Sequence, residues 1–275
     1  MRVDAHQHFW RLDRGDYGWL TPALGRIHRD FLPHDLAPLL AQAGIDRTIL
    51  VQAAPTEAET DFLLELAAAT PFVAGAVGWI DFDAPDAAGR VEQAAARPGL
   101  VGLRPMIQDL PDEAWVARPD LDPVFDAIAA AGLRFDALVK PRHLPHLRAR
   151  LNRHPELLVV IDHGAKPDIA GGALQPWADG MRRIAAETNA CCKLSGLATE
   201  ARPGWSLEDV KPFAEVLLDA FGPRRLMWGS DWPVLNLNGD YRLWLEAVDR
   251  LIEHLPAEEK EWVMGRTAAS FYGIG

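Results

Sequence analysis

The 275-residue sequence predicts an α/β protein, a (β/α)8 barrel of the TIM type forming one domain over residues 1–275. Three observations predict it. Eight short apolar or β-branched runs alternate with longer stretches whose apolar residues recur every three or four positions. Gly44, Gly132 and Gly222 fall where helical stretches should stop before the next strand. Polar residues with chemical capacity gather at the C-terminal ends of the apolar runs, where a barrel of this kind carries its site.

Taken in order, the first strand is expected at 3–9 and the second at 47–52, with a helix at 57–69. Strands three and four fall at 72–80 and 100–106, followed by a helix at 122–131. Strand five (133–139) precedes a helix at 145–153, and strand six (157–163) a helix at 176–188. Strand seven (191–197), a helix at 208–221 and strand eight (225–231) complete the count. From Asp240 on, two helices at 241–254 and 257–272 are expected to close the bottom or flank. The connection 11–31 is long and carries Tyr17, Trp19 and several prolines, a composition suited to a lid or binding loop. A doubly wound sheet is the competing architecture, and it loses because no glycine-rich dinucleotide loop follows any strand.

Hydrophobic residues make up 49% of the chain, enough for a substantial core. A formal net charge of −11 argues against nucleic-acid and anionic-membrane partners, which need clustered Lys and Arg. No apolar run is long enough to span a bilayer. Cys191 and Cys192 are sequence neighbours in a strand, point to opposite faces, and are read as core residues rather than a disulfide. With Arg2-Val3-Asp4 leading directly into His6 and no leader segment read before it, a reducing cytoplasm is the expected location. Nothing in the sequence signals an oligomeric state.

The expected strand ends supply a short list. Strand one offers His6 and His8, which alternation places on one face. Strand four ends in Gly102-Leu103-Arg104, strand six in Asp162-His163-Gly164-Ala165-Lys166-Pro167, and strand seven in Lys193-Leu194-Ser195-Gly196. Strand eight ends in Gly229-Ser230-Asp231-Trp232-Pro233. Each has a bland reading: Asp231 as a turn cap, Arg104 as a structural ion pair, His163 as a core histidine. Their joint occurrence at one rim points to a site. His28, His34, His143, His146, His154 and His254 lie in loops or helices away from the strand ends.

With Asp4-Ala-His6-Gln-His8-Phe-Trp10, Gly102-Leu-Arg104, Asp162-His163-Gly-Ala-Lys166-Pro, Lys193-Leu-Ser195-Gly and Trp228-Gly-Ser-Asp231-Trp-Pro in order, the chain resembles the lactonase branch of the amidohydrolase superfamily. That branch includes 2-pyrone-4,6-dicarboxylate lactonase and sugar lactonases acting on L-fucono- and L-rhamnono-lactones. The resemblance implies a hydrolase that opens a sugar-derived lactone to its hydroxy acid in sugar catabolism. Metal-dependent members usually add a lysine or glutamate at strand four and histidines after strands five and six. Here strand four offers Arg104 and strand five no histidine, with Lys140 one residue past it at the wrong strand for a carbamylated bridge. A two-metal site is therefore not expected. Chemistry without a required cofactor is favoured, and the alternative is one divalent metal, zinc, on His6, His8 and Asp231.

In this reading Asp231 is general base and then general acid, while His163, His6 and His8 polarise the lactone carbonyl. Arg104, Lys166 and Ser195 orient substrate oxygens, and Trp10, Trp232 and Trp19 offer flat faces to a sugar ring. Two other readings compete: a metal-dependent hydrolase or decarboxylase acting on an amide or aromatic acid, and a non-catalytic sugar-acid-binding barrel. Strand parity adds one expectation. If His6, His8 and Ser195 face inward, Asp4 and Lys193 do too, which places Lys193 within reach of Asp4.

Overall fold

The computed structural model describes all 275 residues. Eight parallel strands pair strictly in sequence order: β1 (Val3–Gln7), β2 (Arg47–Val51), β3 (Val73–Gly78), β4 (Leu100–Leu103), β5 (Arg134–Ala137), β6 (Val159–Ile161), β7 (Cys191–Leu194) and β8 (Leu226–Trp228). The ring closes above the last strand. Gln7 bridges Trp232, His8 N–H donates to Trp232 O at 2.7 Å, and Asp231 N–H donates to His6 O at 2.8 Å. This is the expected (β/α)8 barrel.

The strands are shorter than their apolar runs because the last residues of each run leave the ladder and turn over the mouth. The backbone shows why. Four non-glycine residues have positive φ, namely His163, Ala165, Lys166 and Asp231, and all follow β6 or β8. Such conformations cost energy for side chains with a Cβ and persist only where the surroundings enforce them.

The outer layer comprises α1 (Pro33–Ala43), α2 (Glu57–Ala69), α3 (Ala87–Ala95), α4 (Asp122–Ala130), α5 (Leu144–Arg153), α6 (Trp177–Glu187), the short α7 (Leu197–Glu200), α8 (Leu207–Phe221) and α9 (Tyr241–Leu251). A large apolar core fills the space between this jacket and the sheet. A separate nine-residue cluster fills the lumen, with Val3 and Ala5 of β1, Ile49 and Val51 of β2, Val77 of β3, Val160 of β6 and Met227 of β8. Ala268 and Tyr272 complete it from below. The expected helix 257–272 is interrupted, becoming α10 (Ala257–Glu261), a π turn at Trp262–Arg266, and α11 (Thr267–Tyr272). In that turn Gly265 lies against the chain start so closely that a Cβ would sit 2.2 Å from Met1 O.

Strand β1 does not alternate simply. Asp4 pairs with Thr48 but Gln7 with Leu50, so three steps on β1 match two on β2. This bulge changes the facing of everything beyond it. Val3 and Ala5 enter the lumen, whereas Asp4 accepts hydrogen bonds from Tyr241 Oη on α9 at 2.9 Å and from Ser230 N–H at 2.8 Å. The expected pairing of Lys193 with Asp4 therefore fails. Lys193 does point inward, but its partners are Asp136 at 2.5 Å and Asp162 at 3.0 Å.

The connection 11–31 is pinned at its base by two hydrogen bonds between Trp10 and Phe31, both 3.0 Å. It is fastened along its length by Tyr17 Oη donating to Glu59 at 2.7 Å and Trp19 Nε1 donating to Ala53 O at 2.7 Å.

Candidate active site

His6, His8, His163 and Asp231 meet at the mouth of the barrel. His8 Nδ1 donates to Val51 O at 2.7 Å, which leaves the Nε2 lone pair facing the site. That nitrogen lies 3.2 Å from His6 Nε2 and 3.3 Å from Asp231 Oδ1. His6 Nε2 and His163 Nε2 each lie 3.8 Å from the same oxygen. Asp231 Oδ1 thus faces three imidazoles, while Oδ2 makes no hydrogen bond within the protein.

Each histidine is held from behind. His163 Nδ1 pairs with Ser195 Oγ at 2.9 Å, and its ring packs on Gly196 so tightly that a Cβ there would lie 2.6 Å from His163 Cγ. His6 Nδ1 sits between Lys193 Nζ at 3.1 Å and Asp162 Oδ1 at 3.5 Å, so it has an acceptor when it carries hydrogen and a donor when it does not. Asp162 in turn binds Arg104 Nη1 at 3.1 Å, and Arg104 Nη2 donates to Gln52 O. Below them Tyr272 Oη donates to Asp136 at 2.7 Å. The two buried cations, Lys193 and Arg104, are matched by two buried carboxylates, Asp136 and Asp162, which satisfies the requirement that interior charge be paired.

Electrostatics follow from this burial. Burial, and then the Lys193 charge, hold His6 well below the ordinary imidazole range. Burial pushes His163 down to about 4, against the pull of Asp231 and Asp162. Both rings are neutral at neutral pH. Burial works against ionisation of Asp231, but the imidazoles of His163, His8 and His6 outweigh it, and the carboxyl lies below its usual range. Asp162 behaves the same way, with Lys193 as the largest opposing influence. The site therefore presents a carboxylate beside the neutral rings of His6 and His163.

The cleft above has a volume of about 360 Å³ and is lined by His8, Arg104, His163, Lys166 and Asp231 together with Trp19, Leu24, Met106, Gln108, Leu138, Val234 and Leu237. Of the residues expected to touch substrate, Arg104, Lys166 and Trp19 line it. Trp10, Trp232 and Ser195 do not. Trp10 and Trp232 are buried in an aromatic cluster with Phe31, at centroid distances of 5.5 and 5.2 Å, because connection 11–31 folds over them. Ser195 is fully buried and reaches only His163. Gln108 and the Asp162–Lys193–Asp136 chain were not singled out as site residues. The adjacency of Asp162 to His163 was the available signal for that chain.

The family model described as Amidohydrolase matches residues 3–274, essentially the whole chain. The chain belongs to the amidohydrolase family. Among similar proteins, the L-fucono-1,5-lactonase of Burkholderia ambifaria is 47% identical over 277 residues, covering 99% of this chain and 96% of that one. The L-fucono-1,5-lactonase of Burkholderia multivorans is 40% identical, covering 100% and 96%. A crystal structure of a Burkholderia multivorans amidohydrolase with bound zinc superposes with a TM-score of 0.95 at 39% identity, covering both chains fully.

The donor set of this amidohydrolase fits one divalent ion. A tetrahedral zinc with bonds of about 2.0–2.1 Å needs neighbouring ligand atoms roughly 3.3 Å apart. His6, His8 and Asp231 supply 3.2, 3.3 and 3.8 Å. His6, His163 and Asp231 form a further group whose ligand atoms all lie within 4.8 Å of one another.

Proposed function

We propose that this amidohydrolase hydrolyses the ring ester of a sugar-derived aldonolactone, with residues 1–275 acting as one catalytic domain. The observation that carries the reading is Asp231, ionised and lining the cleft, with Oδ1 among three imidazoles and Oδ2 without a hydrogen bond in the protein. The L-fucono-1,5-lactonases at 47% and 40% identity support the substrate class.

Asp231 takes a proton from water as its oxygen attacks the lactone carbonyl. The ring C–O bond then breaks, and Asp231 returns the proton to the leaving alkoxide, giving a hydroxy acid. Arg104 is fixed by Asp162 and Gln52 and directs positive charge at the carbonyl side of the cleft. Lys166, 4.0 Å from Glu200, offers a second cation at the rim for hydroxyls or the emerging carboxylate. A divalent ion, when bound, supplies Lewis-acid polarisation, and His6, His8 and Asp231 would hold it, with His163 as a further donor. The ligand spacing and the zinc bound by a similar protein support this reading over the cofactor-free one that the resemblance to the pyrone lactonase implied.

No helix is long and apolar enough to cross a membrane. The free Cys191 and Cys192 are consistent with a reducing cytoplasm. A pH-indicator screen of aldonolactones beginning with L-fucono-1,5-lactone, run with and without chelator, tests both reaction and metal. Hydrolysis of none under either condition would overturn the proposal.

A further inference from the structure

A second cavity of about 480 Å³ opens at the same rim and shares Trp19, Met106 and Asp109 with the cleft. It lies over the loops that follow β2, β3 and β4, and Trp19 forms the partition. The aromatic wall is preformed. Trp19 is tied to Ala53 O, Trp115 Nε1 donates to Asp83 at 3.0 Å, and the Trp79 backbone is clamped on both sides by Thr60 Oγ1 at 2.8 Å. The Trp79 indole N–H makes no hydrogen bond within the protein, though its side chain lines the cavity.

The two adjoining spaces differ in charge. The cleft carries Arg104, Lys166 and histidines beside Asp231 and the shared Asp109. The cavity is lined by Asp16, Asp81, Asp83 and Asp109 and by no lysine, arginine or histidine. Asp16 and Asp83 have arginine partners at 2.6 and 2.9 Å. Asp81 and Asp109 have no cation within ion-pair distance; Asp81 Oδ1 accepts from Asp83 N–H and Asp109 Oδ2 from Gln108, which leaves the second oxygen of each without a partner in the protein. A carboxylate or phosphate is repelled there. A ring with a C–H face for tryptophan and hydroxyls to donate to carboxylates matches it.

We propose that this cavity is an accessory subsite for an uncharged pyranose ring, next to the ring that reacts. It rests on the proposed lactone reading only in assigning the reacting ring to the cleft. The pyranose comes either as a glycosyl extension of the lactone or as a free sugar, and two measurements separate these sources. Saturation-transfer NMR with methyl α-L-fucopyranoside and methyl β-D-galactopyranoside reads the cavity directly, with or without hydrolase activity. Turnover of a disaccharide aldonolactone is compared with that of its monosaccharide counterpart.

Trp79→Ala and Asp81→Asn are the variants, since neither residue belongs to the catalytic cleft. With an extended substrate, Trp79→Ala lowers kcat/KM about tenfold for the disaccharide lactone and leaves the monosaccharide lactone within about twofold. With a free sugar, the NMR signal of the methyl glycosides is lost in Trp79→Ala while both lactones keep their wild-type ratio. Unfolding is excluded by the unchanged monosaccharide activity, and Asp81→Asn gives the same pattern more weakly. No glycoside signal in the wild type, together with equal effects on both lactones, overturns the subsite. A glycoside signal without any lactonase activity supports the subsite and overturns the reaction instead.

Discussion

Lys193 Nζ lies 3.1 Å from His6 Nδ1, and its other two hydrogens face Asp136 at 2.5 Å and Asp162 at 3.0 Å. The ammonium is fully buried, donates to Asp136 and lies within ion-pair distance of Asp162. Replacing Lys193 with Met leaves the buried Asp136 without a cation and Asp162 with Arg104 alone. A loss of about 3–5 kcal/mol in urea unfolding is expected, and Lys193→Met/Asp136→Asn should recover part of it. An unaltered unfolding midpoint in Lys193→Met would show that the pair contributes nothing.

Asp231→Asn keeps the shape and removes the base. Turnover should fall by about 10²–10⁴ with the fold intact by circular dichroism. Retention of more than about a tenth of wild-type activity would remove Asp231 from the role of base.

Gly196→Ala acts at a distance of one contact. The residue has φ +66, and its new Cβ would lie 2.6 Å from His163 Cγ, so ring or backbone must shift. Because His163 faces Asp231 across 3.8 Å, kcat should fall by at least about tenfold while thermal stability drops by roughly 1–3 kcal/mol. Wild-type kcat in this variant would separate His163 from the chemistry.

Metal binding is predicted to stabilise the fold by mass action. Titrating zinc into chelator-treated protein should saturate near one equivalent and add about 2.7 kcal/mol at a hundredfold excess over Kd. The same titration of His8→Ala should give a much smaller rise. Equal stabilisation of both proteins would place the ion elsewhere.

The anchor of connection 11–31 carries a pH dependence. Burial pushes Glu59 up to about 7 from 4.5. Its folded-state pKa is raised, so its contribution is fully present below about 4.5 and is lost as pH rises through about 7. The full amplitude is on the order of 3 kcal/mol. Thermal midpoints should therefore show a declining component between about pH 4.5 and 7 that is absent from Glu59→Gln. An identical slope in the variant would assign that component to another group.

The barrel was readable in the sequence because alternating apolar runs and helix periods survive folding unchanged. So was the rim, since His6, His8, Arg104, His163, Lys166 and Asp231 all stand at run ends and all line the cleft or face Asp231. Trp10, Trp232 and Ser195 misled for a shared reason: position at a strand end does not reveal what folds over it. Connection 11–31 covers the two tryptophans and brings forward Trp19 in their place. The partners of Lys193 depended on the extra residue in β1, which becomes visible only against the register of β2.

That extra residue has one more consequence. Asp4 and His6 stand two positions apart, yet Asp4 fastens the barrel wall to Tyr241 of the outer jacket while His6 faces Asp231. His6 N–H also donates to Asp4 Oδ1 at 3.2 Å, so a single peptide segment couples outside to inside. The position of the His6 backbone is thus fixed in part by a helix on the outside of the barrel, two hydrogen bonds away.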